Sequence, residues 1–168
     1  MKKSKLKQLQ ATISDFTSLS TKDITLVRIA DQPPEFKEEC CNMPLCDVDA
    51  RESLAIVGDS VRETVRFAVN TPTAHAGIVK GRVRGIFGIH GQTIWMLSDG
   101  YFKDHYPVQM HKIALGVVKA VKNTPELVVQ NVTLPDSPNV RWLESLGFRF
   151  MPLKPDLLYF YMVGIKRK

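Results

Sequence analysis

The sequence predicts a single α/β domain in which a mixed, mostly antiparallel sheet carries helices on both faces. The chain has 168 residues, of which 44% are hydrophobic and 24% charged, and this size and composition are typical of one globular domain. Segments with the two-residue period of strands recur along the chain, and segments with helical period separate them. Elements in this order bury their apolar faces in a layered α/β fold.

The first half of the domain predicts one strand followed by helices. Residues 24–29 favour a strand, and the pair Pro33–Pro34 favours the first turn of a helix. Residues 35–46 fit no single element. Helices are expected at about 51–57 and 60–69, with Gly58 as the break between them.

The second half predicts a hairpin-rich sheet and one long helix. Three strands follow each other at short spacing: 75–79, 83–89 and 94–97. Residues 94–97 are apolar throughout, which predicts a strand buried on both faces. A helix at 105–122 carries an apolar stripe, which predicts a core face and not a cofactor site. Four elements complete the prediction: a strand at 127–134, a helix at 139–147, and paired strands at 148–151 and 157–163.

The chain ends are basic. We expect residues 1–20 to form a basic N-terminal arm and residues 21–168 to form the domain. The arm holds Lys2, Lys3, Lys5 and Lys7, and the net charge of the chain is +6. Basic arms bind nucleic acid or acidic protein surfaces, and they also serve as solubilising ends. Because no stacking aromatic residues accompany these lysines, nucleic acid is the weaker expectation.

The cysteines and the hydropathy pattern exclude several classes of protein. Cys40, Cys41 and Cys46 are odd in number and closely spaced, which favours free thiols over a disulfide framework. No fourth ligand lies near them, so we expect no metal site. No apolar run reaches the length of a membrane helix, and no apolar core follows the basic start. We therefore expect synthesis in a cytoplasm and no membrane span.

One motif resembles a known superfamily. Residues 139–148 (Asn-Val-Arg-Trp-Leu-Glu-Ser-Leu-Gly-Phe) resemble the C-terminal helix-to-strand signature of the GNAT (N-acetyltransferase) superfamily. Residues 85–89 (Gly-Ile-Phe-Gly-Ile) and 94–99 (Ile-Trp-Met-Leu-Ser-Asp) extend the resemblance to the GNAT-like internal virion protein A group of short-tailed bacteriophages. That resemblance implies a GNAT-like sheet and a virion protein, made in the host cytoplasm and present in multiple copies. Its partners would be portal, head–tail junction or internal core proteins.

The resemblance also implies a test for cofactor binding. GNAT enzymes hold the acetyl-CoA pyrophosphate on a glycine-rich loop that leads into a helix N-terminus. The matching segment, residues 98–107, has no glycine after Gly100 and ends in Pro107, which has no N–H. Asp99 and Asp104 add negative charge there. We therefore expect no cofactor, with an acetyl-CoA-dependent N-acetyltransferase as the alternative.

The catalytic groups that the resemblance implies are missing. Leu143 stands where many GNAT enzymes have a proton-donating Tyr, and Gln92 and Thr93 open the strand that often carries a base. If the protein is active, Asp104, His105 and Tyr106 are the candidate catalytic residues. A histidine at a helix start is more often a surface residue.

Two further sets of residues carry predictions. The segment after residue 100 contains aromatic residues that predict either a partner contact or local packing: Tyr101, Phe102, His105 and Tyr106. The motif at 139–148 also has a structural interpretation, in which Asn139 caps the helix and Gly147 adopts a left-handed conformation. Trp142 and Leu143 would then pack under the sheet, with Phe148 beginning the next strand.

Overall fold

The computed structural model describes residues 15–58 and 60–165. The strands in this part are β1 Thr25–Arg28, β2 His75–Val79, β3 Arg82–His90, β4 Thr93–Ser98, β5 Val128–Thr133, β6 Arg149–Lys154 and β7 Leu157–Val163. The α-helices in the same part are α1 Pro34–Cys41, α2 Asp47–Val57, α3 Val61–Val69, α4 Tyr101–His105, α5 Pro107–Lys122 and α6 Asn139–Ser145. Short 3₁₀ turns occupy Thr17–Leu19 and Ile29–Asp31.

The strands form one sheet in the order β1-β2-β3-β4-β5-β7-β6. Every neighbouring pair is antiparallel except β4 and β5, which are parallel. The tight turn between β2 and β3 uses Lys80 and Gly81, whose φ angles are both positive, at 49° and 74°, as two-residue hairpin turns require. The predicted mixed, mostly antiparallel sheet is confirmed.

Apolar clusters lie on both faces of the sheet. On one face, α1 and α3 pack around Ile29 and Ile86, which are fully buried. On the other face, α5 contributes Val117 and Val121 to a core that also contains Phe160. The prediction of helices on both faces is therefore confirmed.

The helices around Gly58 follow local sequence signals. Gly58 adopts a left-handed conformation with φ 77° and ends α2, and the Ser60 hydroxyl accepts a hydrogen bond from the Glu63 N–H at 3.2 Å. This bond caps the start of α3. The break was predicted correctly, but α2 begins at Asp47 and is longer than expected.

The start of the long helix predicted at 105–122 is wrong. A separate five-residue helix, α4, precedes α5, and Tyr106 lies between them in a non-helical conformation with φ −134° and ψ 43°. Pro107 explains the break, because proline disfavours a helical conformation in the residue before it and has no N–H for the helical ladder.

The prediction that β4 is buried on both faces is also wrong. Its apolar residues Ile94 to Leu97 are only half-buried, whereas Ser98 at its end is fully buried. The reason lies in its parallel neighbour β5, which pairs with β4 at one position, Thr93 with Gln130.

The residues before β1 are tied to the domain through His75. The Phe16 N–H donates to His75 Nε2 at 2.9 Å, and His75 Nδ1 lies 2.8 Å from the Thr73 carbonyl oxygen. His75 is therefore neutral with its proton on Nδ1, and burial lowers its pKa. Leu19 packs against Gly116 of α5. The arm lysines at positions 2, 3, 5 and 7 lie outside the described residues.

The two edge strands of the sheet are poor templates for further pairing. β1 has four residues, and β6 contains Pro152 and a register shift between Pro152 and Lys154. Proline and bulges disrupt the regular ladder that an added strand needs.

Two remaining sequence features can be placed in this fold. Cys40 is fully buried, which raises the pKa of its thiol to about 12, and Cys41 and Cys46 are half-buried free thiols. Within residues 15–58 and 60–165, the helices are all too short or too polar to cross a bilayer.

Candidate functional site

The sheet opens between β4 and β5. The Gln130 N–H donates to the Gln92 carbonyl at 2.8 Å next to the one paired position. One residue further on, the side-chain amide of Asn131, and not a backbone group, donates to the Ile94 carbonyl at 2.7 Å. The strands are therefore joined at their starts and separate toward their ends.

The separation leaves space on both faces of the sheet. On the α2 and α3 side lies a cleft of about 450 Å³, and on the α5 side an apolar cavity of about 130 Å³. The two spaces share wall residues from β4, α6 and β7: Ile94, Trp95, Met96, Trp142, Leu143 and Phe160. Trp95 and Trp142 are the only tryptophans of the chain, so both of its indole rings line this opening.

A buried carboxylate from α2 reaches the end of β4. Asp49 is 4% exposed, and its Oδ2 accepts hydrogen bonds from the Ser98 N–H at 2.7 Å and the Ser98 hydroxyl at 3.3 Å. The Lys103 ammonium lies 3.9 Å from Oδ1. Burial raises the pKa of Asp49, while the nearby Lys103 charge opposes that rise. The carboxylate thus occupies the Ser98 main-chain donor at the end of β4.

Two more polar groups of α2 line the cleft. Glu52 accepts a hydrogen bond from the Thr133 hydroxyl at 2.7 Å. The Ser53 hydroxyl is buried and has no hydrogen-bond partner among the described residues. An unsatisfied buried hydroxyl costs free energy, so a polar ligand atom at this point would be favoured.

Asp49 and Ser53 were not found from the sequence. Their four-residue spacing places them on one side of a helix, but this signal depends on α2 beginning at Asp47 and not near Arg51. The sequence feature that indicates a helix start at Asp47 is the pair of acidic residues Asp47 and Asp49, because acidic side chains are favourable in the first turn of a helix.

The turn after β4 is closed by its own carboxylate. Asp99 Oδ1 accepts from the Tyr101 N–H at 2.9 Å, and Asp99 Oδ2 accepts from Arg84 Nη1 at 2.9 Å. The Arg84 guanidinium lies 4.1 Å from the centre of the Tyr101 ring. Gly100, with φ 88°, turns the chain into α4. The Tyr101 amide, one of those in the first turn of α4, is therefore already bound.

Phe102 belongs to the core. Its ring is 6% exposed and lies across β2 and β3, where a Cβ atom added to Gly77 or Gly85 would come within 2.7 or 2.6 Å of it. A partner cannot reach this ring without unpacking α4. The prediction that Phe102 is a partner contact does not fit this placement, and the alternative of local packing does.

The other three aromatic residues form a surface cluster. The Tyr101 ring centre lies 4.2 Å from that of His105 and 6.1 Å from that of Tyr106. His105 and Asp104 are exposed, and both tyrosines are half-buried. Neither cavity wall includes Asp104, His105 or Tyr106, so the structure does not bring the three candidate catalytic residues to the opening in the sheet.

Helix α6 borders the opening and is bridged to the neighbouring helices. The Lys103 ammonium donates to Asn139 Oδ1 at 3.0 Å, and the Trp142 indole N–H donates to His111 Nδ1 at 3.2 Å. The prediction that Asn139 caps the helix is wrong, because Pro138 holds the cap position and the Asn139 side chain faces Lys103. Leu143 does line the cleft, where it has no proton to donate.

The rest of the motif behaves as predicted. Gly147 adopts a left-handed conformation with φ 93°. Trp142 and Leu143 pack against the core on the α5 side of the sheet, and Phe148 is buried in that core. These packing roles account for much of the motif without any catalytic function.

Solved structures with this architecture come from several organisms. Protein PH1933 from Pyrococcus horikoshii OT3 has a TM-score of 0.56 at 10% identity, covering 86% of this chain and 100% of its own. The GNAT domain of PAT from S. lividans has a TM-score of 0.53 at 9% identity, covering 83% and 88%. A Salmonella typhimurium protein solved with its cofactor acetyl-CoA has a TM-score of 0.52 at 10% identity, covering 87% and 96%.

These likenesses show the fold of the chain. The chain has the GNAT, or acetyltransferase-like, fold, as the motif at 139–148 implied. No protein-family model and no curated protein sequence matches it. At these levels of identity the likeness extends to the fold alone.

The residues at the turn do not fit the acetyl-CoA of the Salmonella typhimurium structure. A diphosphate bound after β4 would need free main-chain amides, but Tyr101 N–H and Ser98 N–H already donate to Asp99 and Asp49. Pro107 offers no N–H at the start of α5. Two cations lie near the turn and both are already engaged: Arg84 is paired with Asp99, and the Lys103 ammonium faces Asn139 and Asp49.

Proposed function

We propose that this protein is a non-catalytic GNAT-fold component of a bacteriophage virion that binds other virion proteins and does not use acetyl-CoA. One observation carries the loss of cofactor binding: the main-chain donors at Ser98 and Tyr101 are held by the chain's own carboxylates. A diphosphate would have to displace two anions from these donors and remain beside them, which like-charge repulsion opposes.

The virion assignment is supported by the resemblance of residues 85–99 and 139–148 to the internal virion protein A group. The partner surfaces we propose are the arm lysines and the exposed part of the aromatic cluster, Tyr101, His105 and Tyr106. Tyrosine is enriched at the energetic centres of protein interfaces. A partner with acidic side chains would suit the arm lysines.

The cofactor half of the proposal is tested by calorimetry. We expect acetyl-CoA at millimolar concentration to give no heat of binding with the purified chain, while the Salmonella typhimurium protein serves as the positive control. Binding at micromolar concentration would refute this half. A structure with coenzyme A phosphates on the amides after β4 would do the same.

The virion half is tested on particles. Mass spectrometry of purified particles should identify the chain, and a structure of the particle should place it against the portal, the head–tail junction or the internal core. Particles that lack the chain would refute this half without bearing on cofactor binding.

An acetyl-CoA-dependent N-acetyltransferase is the second candidate, and one observation favours it. Asp49 is a buried carboxylate with a raised pKa in an open cleft, which is the environment of many catalytic bases. If this candidate is correct, Asp49→Asn abolishes an acetyl transfer that the unaltered chain performs. If the unaltered chain transfers no acetyl group, this candidate function is refuted.

A further inference from the structure

Helix α2 contributes no side chain to the apolar clusters of the described residues. Those clusters draw on each of the other α-helices and on the sheet. The two buried residues of α2 are polar, Asp49 and Ser53, whereas its Leu54 and Val57 are 52% and 53% exposed. Because a helix in a protein is stabilised mainly by packing of an apolar face, α2 is held more weakly than the helices around it.

The first turn of α2 is fixed to the sheet by buried hydrogen bonds. The Cys46 N–H, immediately before the helix, donates to the Ser98 carbonyl at 2.8 Å. Asp49 in turn accepts from the Ser98 N–H at 2.7 Å. Hydrogen bonds to a charged group are among the stronger ones in proteins, so this end of α2 is anchored to the end of β4.

The rest of α2, residues 51–57, is held by two polar side-chain contacts within the described part of the chain. Arg51 pairs with Asp136 at 3.2 Å, and these side chains are 50% and 73% exposed. Glu52 accepts from the Thr133 hydroxyl at 2.7 Å. Exposed ion pairs contribute little to stability, because water and salt screen them. The final residues of the helix, 54–57, have only apolar side chains, so they add no polar contact.

Residues 51–57 also form a wall of the cleft, whose volume is about 450 Å³. The helix ends at Gly58, whose φ is 77°, and a Cβ atom added there would have no neighbour within 4 Å. The chain can therefore change direction at this glycine without steric hindrance. Displacement of residues 51–57 would open the cleft along the side of α2. Four of their side chains line it: Glu52, Ser53, Ile56 and Val57.

We propose that residues 51–57 are a lid of the cleft, which detaches while the rest of the domain stays folded and the first turn of α2 stays bound through Asp49. A helix of this length is not stable in water without packing, so the detached lid loses its helical hydrogen bonds. The open lid lets a ligand or a partner's side chain enter the cleft without disruption of the sheet. This inference holds whether or not the chain binds acetyl-CoA or belongs to a virion.

Hydrogen exchange of the full chain, measured residue by residue by NMR, tests the lid. After correction for intrinsic rates, the amides of residues 51–57 should exchange at least about 100-fold faster than those of Val117 and Val121 in the core of α5. Urea below the unfolding transition should speed exchange in α5 and leave residues 51–57 nearly unchanged, because local opening exposes little surface. Equal protection of the two segments, or an equal response to urea, overturns the proposal.

Removal of the two outer contacts gives a second test. The double variant Glu52→Ala with Asp136→Ala should speed exchange at residues 51–57 by roughly 5- to 30-fold and leave α5 unchanged. Added salt should speed it in the unaltered chain more than in this variant. The matched control is Glu63→Ala, which breaks an exposed ion pair with Arg66 inside α3. No increase in the double variant, or the same increase in the control, refutes the lid.

Discussion

Removal of the Phe102 ring is expected to destabilise the protein strongly. The ring is 6% exposed and fills the space above Gly77 and Gly85, which have no side chains to close it. Phe→Ala substitutions at buried sites cost about 3–5 kcal/mol. For a chain of this size, that loss lowers the melting temperature by roughly 6–20 °C. Urea unfolding followed by circular dichroism measures the free energy of unfolding.

A double-mutant cycle with Gly85 shows whether the ring acts through this packing. Gly85→Ala alone would place a Cβ atom 2.6 Å from the ring and should cost about 1–3 kcal/mol through overpacking. In the Phe102→Ala background the clash is absent, so the same change should cost little and the two effects should not add.

The control variant is Phe67→Ala, which removes the same kind of ring from an exposed site. It should change the free energy of unfolding by no more than about 0.5 kcal/mol. A loss below about 1 kcal/mol for Phe102→Ala, or strict additivity with Gly85→Ala, would contradict the packing. The ring would then be available as the partner contact that the sequence also allowed.

Three further predictions concern stability. Burial lowers the pKa of His75 in the folded state, so the free energy of unfolding should fall as the pH drops below about 6.5. The slope should be at most about 1.4 kcal/mol per pH unit. Unfolding curves measured at several pH values should lose this dependence in His75→Gln and keep it in the exposed control His105→Gln. Asp99→Ala should cost about 1–3 kcal/mol in urea unfolding, because it leaves a main-chain amide and a guanidinium unpaired, whereas exposed Asp156→Ala should be near neutral. Gly147→Ala should cost about 1–2 kcal/mol, since φ is 93° there, and a calorimetric melting temperature equal to that of the unaltered chain would contradict the left-handed geometry.

Much of the fold was predictable because its signals are local. The strands near 75–79 and 157–163 have apolar residues and turn residues at their ends, and glycines at 58 and 147 mark helix ends through backbone conformations that they adopt readily. The break at Tyr106 was missed although Pro107 supplied the reason. An apolar stripe that fits a single long helix outweighed the constraint that proline places on the preceding residue.

The candidate site was less predictable because it depends on distant segments. The half-burial of β4 follows from its separation from β5, and nothing local in Ile94 to Leu97 indicates it. Asn139 has the residue type of a helix cap, but Lys103 from α4 binds its side chain. The hydrogen bonds that Asp99 makes within the turn were not predicted; the sequence indicates only that Asp99 and Pro107 disfavour a bound phosphate, and this stays a prediction.

The two edge strands of the sheet limit how copies of this chain can associate. A short β1 and a β6 interrupted at Pro152 offer an approaching strand few successive docking points. High concentration should therefore not drive these chains into continuous fibrils through strand pairing. We expect contacts between copies to be made by side chains on helices and turns, where each contact can be gained or lost singly.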